Sequence, residues 1–150
     1  MSEHHLTLDW RRATSDFNYD TFERTHAIHF SGGTRLEVSS APDYLGNKAY
    51  TNPEELLGAA LASCHMLTFL AIAAKSRLVV DHYEDQVTAI LEKNAQGQMA
   101  VTRIMLKPRV TFSGTSIPGP DKLRALHDKA HQYCFIANSV RSEVSIEPQI

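Results

Sequence analysis

The hydrophobic positions change period along the chain. Leu6, Leu8 and Trp10 alternate with Thr7, Asp9 and Arg11, a period of two that predicts a strand. A polar stretch follows from Ala13 to Asp20. Phe22, Arg24, His26, Ile28 and Phe30 then share one parity, which predicts a second strand with these residues on one face. Ser31-Gly32-Gly33-Thr34 is a hairpin signal, and Leu36 and Val38 continue a third strand. Residues 41–51 read as a loop.

The period then changes to helical. Asn52 suits a helix cap, Pro53 the first helical position, and Glu55 can reach back to the cap. Glu54 and Glu55 also complement the positive end of the helix dipole. The helix runs to about Lys75 and is apolar on every side, which predicts burial all round. From Leu56 to Ala74 it carries 19 residues without a formal charge when His is neutral. That approaches membrane-spanning length. Much of it is alanine, however, with Gly58, Ser63, His65 and Thr68 inside, so a buried helix of a soluble domain is the expected state and no membrane partner is implied.

Two long strands are predicted next. The first places Tyr83, Val87, Ala89 and Leu91 on one face. The second places Ile104, Leu106, Val110 and Phe112 on one face, with Pro108 at an edge or bulge. Residues 94–98 form the turn between them. A second helix opens at Pro118-Gly119-Pro120-Asp121 and runs to about Phe135, with Leu123, Leu126, Ala130 and Cys134 as its apolar stripe. A last strand has Val140, Val144 and Ile146 inward. The order β-β-β-α-β-β-α-β predicts an α+β fold with mainly antiparallel sheets wrapped around a buried central helix. The chain of 150 residues reads as one domain.

Composition narrows the functional classes. The net charge is −2 and there is no basic tract, so nucleic acid is not an expected partner. The first residues, Met1-Ser2-Glu3-His4-His5, are polar with no apolar run behind them, so no signal peptide is expected. The expected location is the cytoplasm, where the two cysteines, Cys64 and Cys134, stay reduced.

Cys64 lies inside the apolar helix. It is either a small core side chain or a nucleophile whose thiolate needs an activating group, because the helix dipole is weak at mid-helix. Arg24 has the inward parity and can supply a cation; the alternatives are a slipped strand register or a side chain that snorkels outward. Glu54 can pair with Arg24 or simply complement the dipole. Glu54 and Cys64 are ten residues apart, roughly 15 Å along a helix. If both serve one site, a second subunit must bring Glu54 to Cys64. Cys134 is either a resolving thiol or core filler. His127, His131 and Cys134 fall on one helical face and, with His65 or Cys64, offer a weak zinc signal. No metal or cofactor is expected, and no phosphate loop, dinucleotide fingerprint or GxSxG is present.

Two stretches resemble a known family. Thr51-Asn52-Pro53-Glu54-Glu55-Leu56-Leu57-Gly58-Ala59-Ala60-Leu61-Ala62-Ser63-Cys64 resembles the TNPEELLGAA…C helix of the OsmC/Ohr family (osmotically inducible protein C, organic hydroperoxide resistance), and Ala130-His131-Gln132-Tyr133-Cys134 resembles its second cysteine motif. The resemblance implies an intertwined homodimer with the active site at the subunit interface. It implies a peroxidatic Cys64, a resolving Cys134, a catalytic carboxylate at Glu54 and a catalytic arginine, best matched by Arg24, with Arg11, Arg12 and Arg35 as other candidates. Organic hydroperoxides would be the substrates and a dithiol, lipoyl-type or other, the reductant. The sequence around Arg24 is not Gly-rich, Phe135 follows the second cysteine, and His65 follows the first. These departures suggest an OsmC-like branch. Apolar walls are expected from Leu61, Met66 and Phe69. Two other readings are a non-enzymatic binder of a small apolar molecule or metal, and a thiol hydrolase with His65 or His131 as base.

Overall fold

The computed structural model describes residues 1–149. The chain divides into two compact units, Met1–Leu56 and Leu57–Ile150.

In the first unit β1 (Leu6–Asp9), β2 (His26–Phe30) and β3 (Arg35–Val38) form an antiparallel sheet in that order. Leu6 lies opposite Phe30, and Leu8 opposite Ile28. The hairpin closes where Phe30 N–H donates to the Thr34 carbonyl at 2.9 Å. Gly33 there has φ 88°, a conformation that glycine adopts without steric cost. The second strand is shorter than predicted. Residues before His26 turn instead, because the Asn18 carbonyl accepts the N–H groups of Thr21 and Phe22 at 3.1 and 2.9 Å. Phe17 then packs between Trp10 and Phe22, with ring centroids 5.9 and 5.5 Å away. On β2 Ala27 is buried and Phe30 exposed, while on the predicted face Ile28 is half-buried and Val38, opposite His26, is fully buried.

The helix α1 spans Pro53–Lys75. It starts as its sequence suggests. Asn52 Oδ1 accepts the N–H of Glu55 at 2.9 Å. Glu55 reaches back to the Thr51 hydroxyl, which donates to it at 2.8 Å, rather than to the cap backbone.

In the second unit the two predicted long strands each divide. The first becomes β4 (Val79–Asp85) and β5 (Thr88–Lys93), the second β6 (Met99–Leu106) and β7 (Pro108–Ser113). β4 pairs with β7, while β5, β6 and β8 (Glu143–Ile146) form a separate sheet. At the break the Lys107 N–H donates to Asp85 Oδ1 at 2.7 Å, and Pro108 has no N–H to carry a ladder onward. All pairs are antiparallel except β6 with β8, which is parallel. α2 covers Pro120–Tyr133. It stops before Cys134, which adopts an extended backbone instead of continuing the helix.

α1 serves two cores. Phe69 and Ala73 pack with Leu78, Leu123, Leu126 and Ala130. Leu61 packs with Ile104, Leu106 and Cys134. The fold is therefore α+β, with mainly antiparallel sheets and a central helix. α1 is long and apolar enough to cross a membrane, yet Gly58, Leu61, His65, Phe69 and Ala73 are buried in the protein. Burial all round is not observed. Ala60, Ser63, Leu67 and Ala71 are exposed, because the two cores of this unit cover only one side of α1.

Candidate active site at the cysteine pair

Cys64 is half-buried on α1, and Cys134 is fully buried just past the end of α2. The structure packs Cys64 against the buried cluster that contains Cys134, close enough for each thiol to shift the other's ionisation. Both are free thiols.

The loop that follows α2 shapes the electrostatics. Burial pushes the Cys64 thiol up, but it is outweighed by hydrogen bonds from the Ile136 N–H, the Cys134 thiol and the Phe135 N–H, with a smaller contribution from Thr68. The net result is a Cys64 pKa below the ordinary thiol value. The Thr68 hydroxyl has one proton and also donates to the Cys64 carbonyl at 2.8 Å, so its help to the sulfur competes with that bond. Cys134 goes the other way. Burial pushes its thiol up, and the neighbouring Cys64 adds to this. The Ala137 N–H donates to Cys134 Sγ at 3.4 Å and only partly offsets the rise. The pair is therefore polarised, with one sulfur favouring thiolate and the other keeping its proton.

Cys64 opens onto a cavity of about 850 Å³, whose walls include Ala60, Ser63, Leu67, Tyr133 and Phe135. The predicted walls are corrected here. Leu61 and Phe69 are fully buried in the cores, and the cavity uses Leu67, Ala71 and Ile72 instead. A helix that is apolar on all sides carries no periodicity to say which face is the core face.

Arg24 and Glu54 lie in the first unit, Cys64 and Cys134 in the second. Arg24 is buried but not on a strand. Its guanidinium donates to the carbonyls of Phe22, at 2.7 Å, and Tyr19. It also lies over the Phe22 ring, 3.9 Å from the centroid. The other candidate arginines are engaged elsewhere. Arg11 pairs with Asp9 at 3.7 Å, Arg35 pairs with Glu37, and Arg12 donates to the Ser15 carbonyl at 2.6 Å. Glu54 is half-buried in the first turn of α1, and its Oε2 is buried without a hydrogen-bond partner among the described residues.

The histidines do not join the cysteines. His65 Nε2 and His127 Nδ1 are 3.0 Å apart, and both rings are fully buried. Burial pushes each down to about 4, and for His65 the nearby His127 and His131 add to the effect. His65 faces this partner and not the cavity, which removes it as a base beside Cys64. Among the described residues no group of three or more His, Cys, Asp and Glu side chains is placed to hold a metal.

Residue types did not point to the amides of Phe135, Ile136 and Ala137. Backbone donors leave no such signature. The available signal was the cysteine at the helix end, where the chain must leave the helical path.

A fold with a central helix, a second short helix and a reduced cysteine pair between them defines a class of thiol proteins. The family model described as OsmC-like protein matches residues 46–149, and the chain belongs to that family. A solved OsmC-like protein of unknown function from Vibrio cholerae is 44% identical, with a TM-score of 0.95, over 99% of this chain and 100% of that one. The organic hydroperoxide resistance protein of Xanthomonas axonopodis pv. citri is 30% identical over 98 residues, which span 64% of this chain and 63% of the relative. The peroxiredoxin OsmC of Escherichia coli is 28% identical over 100 residues, 67% of each chain.

Proposed function

We propose that this protein is a thiol-dependent peroxidase that reduces organic hydroperoxides. The observation that carries the reading is Cys64 opening onto a largely apolar cavity while it packs against the core cluster that holds the fully buried Cys134. The names of the Xanthomonas and Escherichia coli relatives point the same way.

In this reading the Cys64 thiolate attacks the terminal oxygen of the hydroperoxide. The O–O bond breaks, the alkoxide leaves and takes a proton from water, and Cys64 becomes a sulfenic acid. Cys134 then displaces the hydroxyl to form a Cys64–Cys134 disulfide, which an external dithiol, lipoyl-type or other, reduces. The apolar walls favour organic hydroperoxides over hydrogen peroxide.

Arg24 is the proposed cation for the thiolate and the peroxide oxygen, and Glu54 the carboxylate that orients it. Arg24 is supported by its burial, unlike Arg11 and Arg35 with their exposed ion pairs. The proposed assembly is a homodimer with the site at the subunit interface. It is supported by the exposed apolar side of α1, where Leu67 is 60% exposed, since monomers seldom leave such a surface on a central helix. Residues 1–150 act as a single OsmC-like domain, in the cytoplasm.

The test is consumption of cumene hydroperoxide with a dithiol, for wild type, Cys64→Ser and Cys134→Ser. Turnover lost in Cys64→Ser, with a Cys64–Cys134 disulfide in oxidised wild type, supports the reading. No turnover with any dithiol, and a Cys64 that alkylates only at high pH, overturns it in favour of a binding role.

A further inference from the structure

The cavity beside Cys64 is a long groove, and its two ends differ in charge. One wall is a single stripe of α1. Ala60, Cys64, Leu67, Ala71 and Lys75 all line it, and steps of three or four residues place them on one face of a helix. Along the helix axis the stripe from Ala60 to Lys75 is roughly 22 Å long, and Cys64 lies roughly 16 Å from Lys75. The facing wall comes from α2 and the loop after it, through Lys129, Tyr133 and Phe135. α2 runs back along α1, since Leu123, Leu126 and Ala130 pack with Phe69 and Ala73, while Cys134 packs with Leu61. Lys129, next to Ala130, therefore lies on the Lys75 side of Cys64. The cysteine belongs to one half of the groove and both lysines to the other.

No Asp or Glu lines the groove. Among the described residues neither Lys75 nor Lys129 makes an ion pair. Lys75 also complements the negative end of the α1 dipole. Lys129 precedes the last turn of α2, so the dipole gives it no comparable role. Between the lysines and Cys64 the wall is apolar, through Leu67, Ala71 and Ile72. Open apolar surface gains from an apolar occupant, and two cations without carboxylates favour an anion at their end.

We propose that this groove is a binding site for long-chain carboxylates, with the head group held by Lys75 and Lys129 and the chain laid along Ala71 and Leu67 over Cys64. With carbon–carbon bonds of about 1.5 Å in a zigzag, roughly a dozen carbons span the distance from Lys75 to Cys64. A chain of that length covers the thiol, and one of about eight carbons stops short of it. Occupancy needs only the reduced protein, so the inference stands apart from the peroxidase reading.

The experiment uses the full-length wild-type protein, kept reduced, with no peroxide present. Dodecanoate, octanoate and the cation dodecyltrimethylammonium are titrated calorimetrically at low salt, below their micelle concentrations. In parallel, alkylation of Cys64 by iodoacetamide is followed by mass spectrometry with each amphiphile. Dodecanoate is expected to bind, octanoate to bind more weakly by up to about fourfold per missing methylene, and the cation not to bind. Dodecanoate should slow Cys64 alkylation in proportion to the occupied fraction, while octanoate leaves it unchanged. Lys75 and Lys129 are exposed, so the double variant Lys75→Gln, Lys129→Gln should unfold at the wild-type midpoint and bind dodecanoate about tenfold to a hundredfold more weakly.

Dodecanoate that fails to bind overturns the inference and leaves the groove to a second copy of the chain. Equal binding of the cationic amphiphile, or undiminished binding by the double variant, overturns it too, because apolar surface alone then accounts for the affinity. Bound dodecanoate that leaves Cys64 alkylation unchanged overturns the path over the thiol. Peroxide turnover is decided separately by the Cys64→Ser comparison, so either reading can fail without the other.

Discussion

The two units of the chain handle their apolar side chains in opposite ways. Leu57–Ile150 closes two cores around one side of α1. In Met1–Leu56 the fully or nearly buried hydrophobics are Ala27 and Val38, while Leu6, Leu8, Phe17 and Tyr19 are 57, 58, 66 and 70% exposed. A strand pattern that alternates correctly does not by itself bury anything. It creates a face, and the face gains stability only when something covers it. The second unit covers one side of its central helix with two cores, while the first buries few of its apolar side chains. The exposed side of α1, through Leu67, belongs with the uncovered surfaces.

The contrast can be broken hardest at Phe69. This ring is fully buried and stacks on His127 at 4.3 Å between centroids. Phe69→Ala is expected to cost about 3–5 kcal/mol in denaturant unfolding, as for other large core truncations. Leu8→Ala is the control in the first unit. A cost near zero in a monomeric state means the Leu8 face is open, and a cost above about 1 kcal/mol means a partner surface covers it.

The buried His65–His127 pair gives the second unit a pH limit. Both rings titrate near 4 in the folded protein, against 6.5 as the ordinary value. Between those values the unfolded chain binds protons that the folded chain refuses. Stability therefore falls as pH drops through this window, and it flattens below about 4. Each ring accounts for roughly 2–3 kcal/mol at the acid end. Thermal unfolding from pH 7 to 4 checks this, and His127→Gln, which cannot charge, should reduce the slope by about one proton. A Tm that is flat over the window would contradict the burial of the pair.

At the junction of loop and helix, Asn52→Ala removes the side chain that caps Glu55. A loss of about 1 kcal/mol is expected, measured by urea unfolding. The smallest effect on the lone chain is expected from Leu67→Lys. The side chain is 60% exposed, so the change should alter monomer stability by no more than about 0.5 kcal/mol. Its effect should appear in assembly: sedimentation is expected to show wild type as the proposed dimer and the variant as monomer. An unshifted dimer would move the interface away from this side of α1.

Some of the architecture was plain in the residues alone. The hairpin at Gly33, the Asn52 cap, the Pro53 start, both helices and the α+β class follow from local backbone preferences, which act over a few residues and need no partner. The resemblance around Thr51–Cys64 led to the family in the same way, because a motif is local. Tertiary structure alone decided the rest. The early end of β2 at His26 comes from hydrogen bonds to Asn18, and the division of the long strands from the contact between Asp85 and Lys107. The phase of α1 was hidden because every side of it is apolar. The lowering of the Cys64 pKa depends on the backbone of Phe135 and Ile136, 71 and 72 residues further along the chain. Backbone N–H groups are the same at almost every position, so only the fold can tell which of them meet a sulfur.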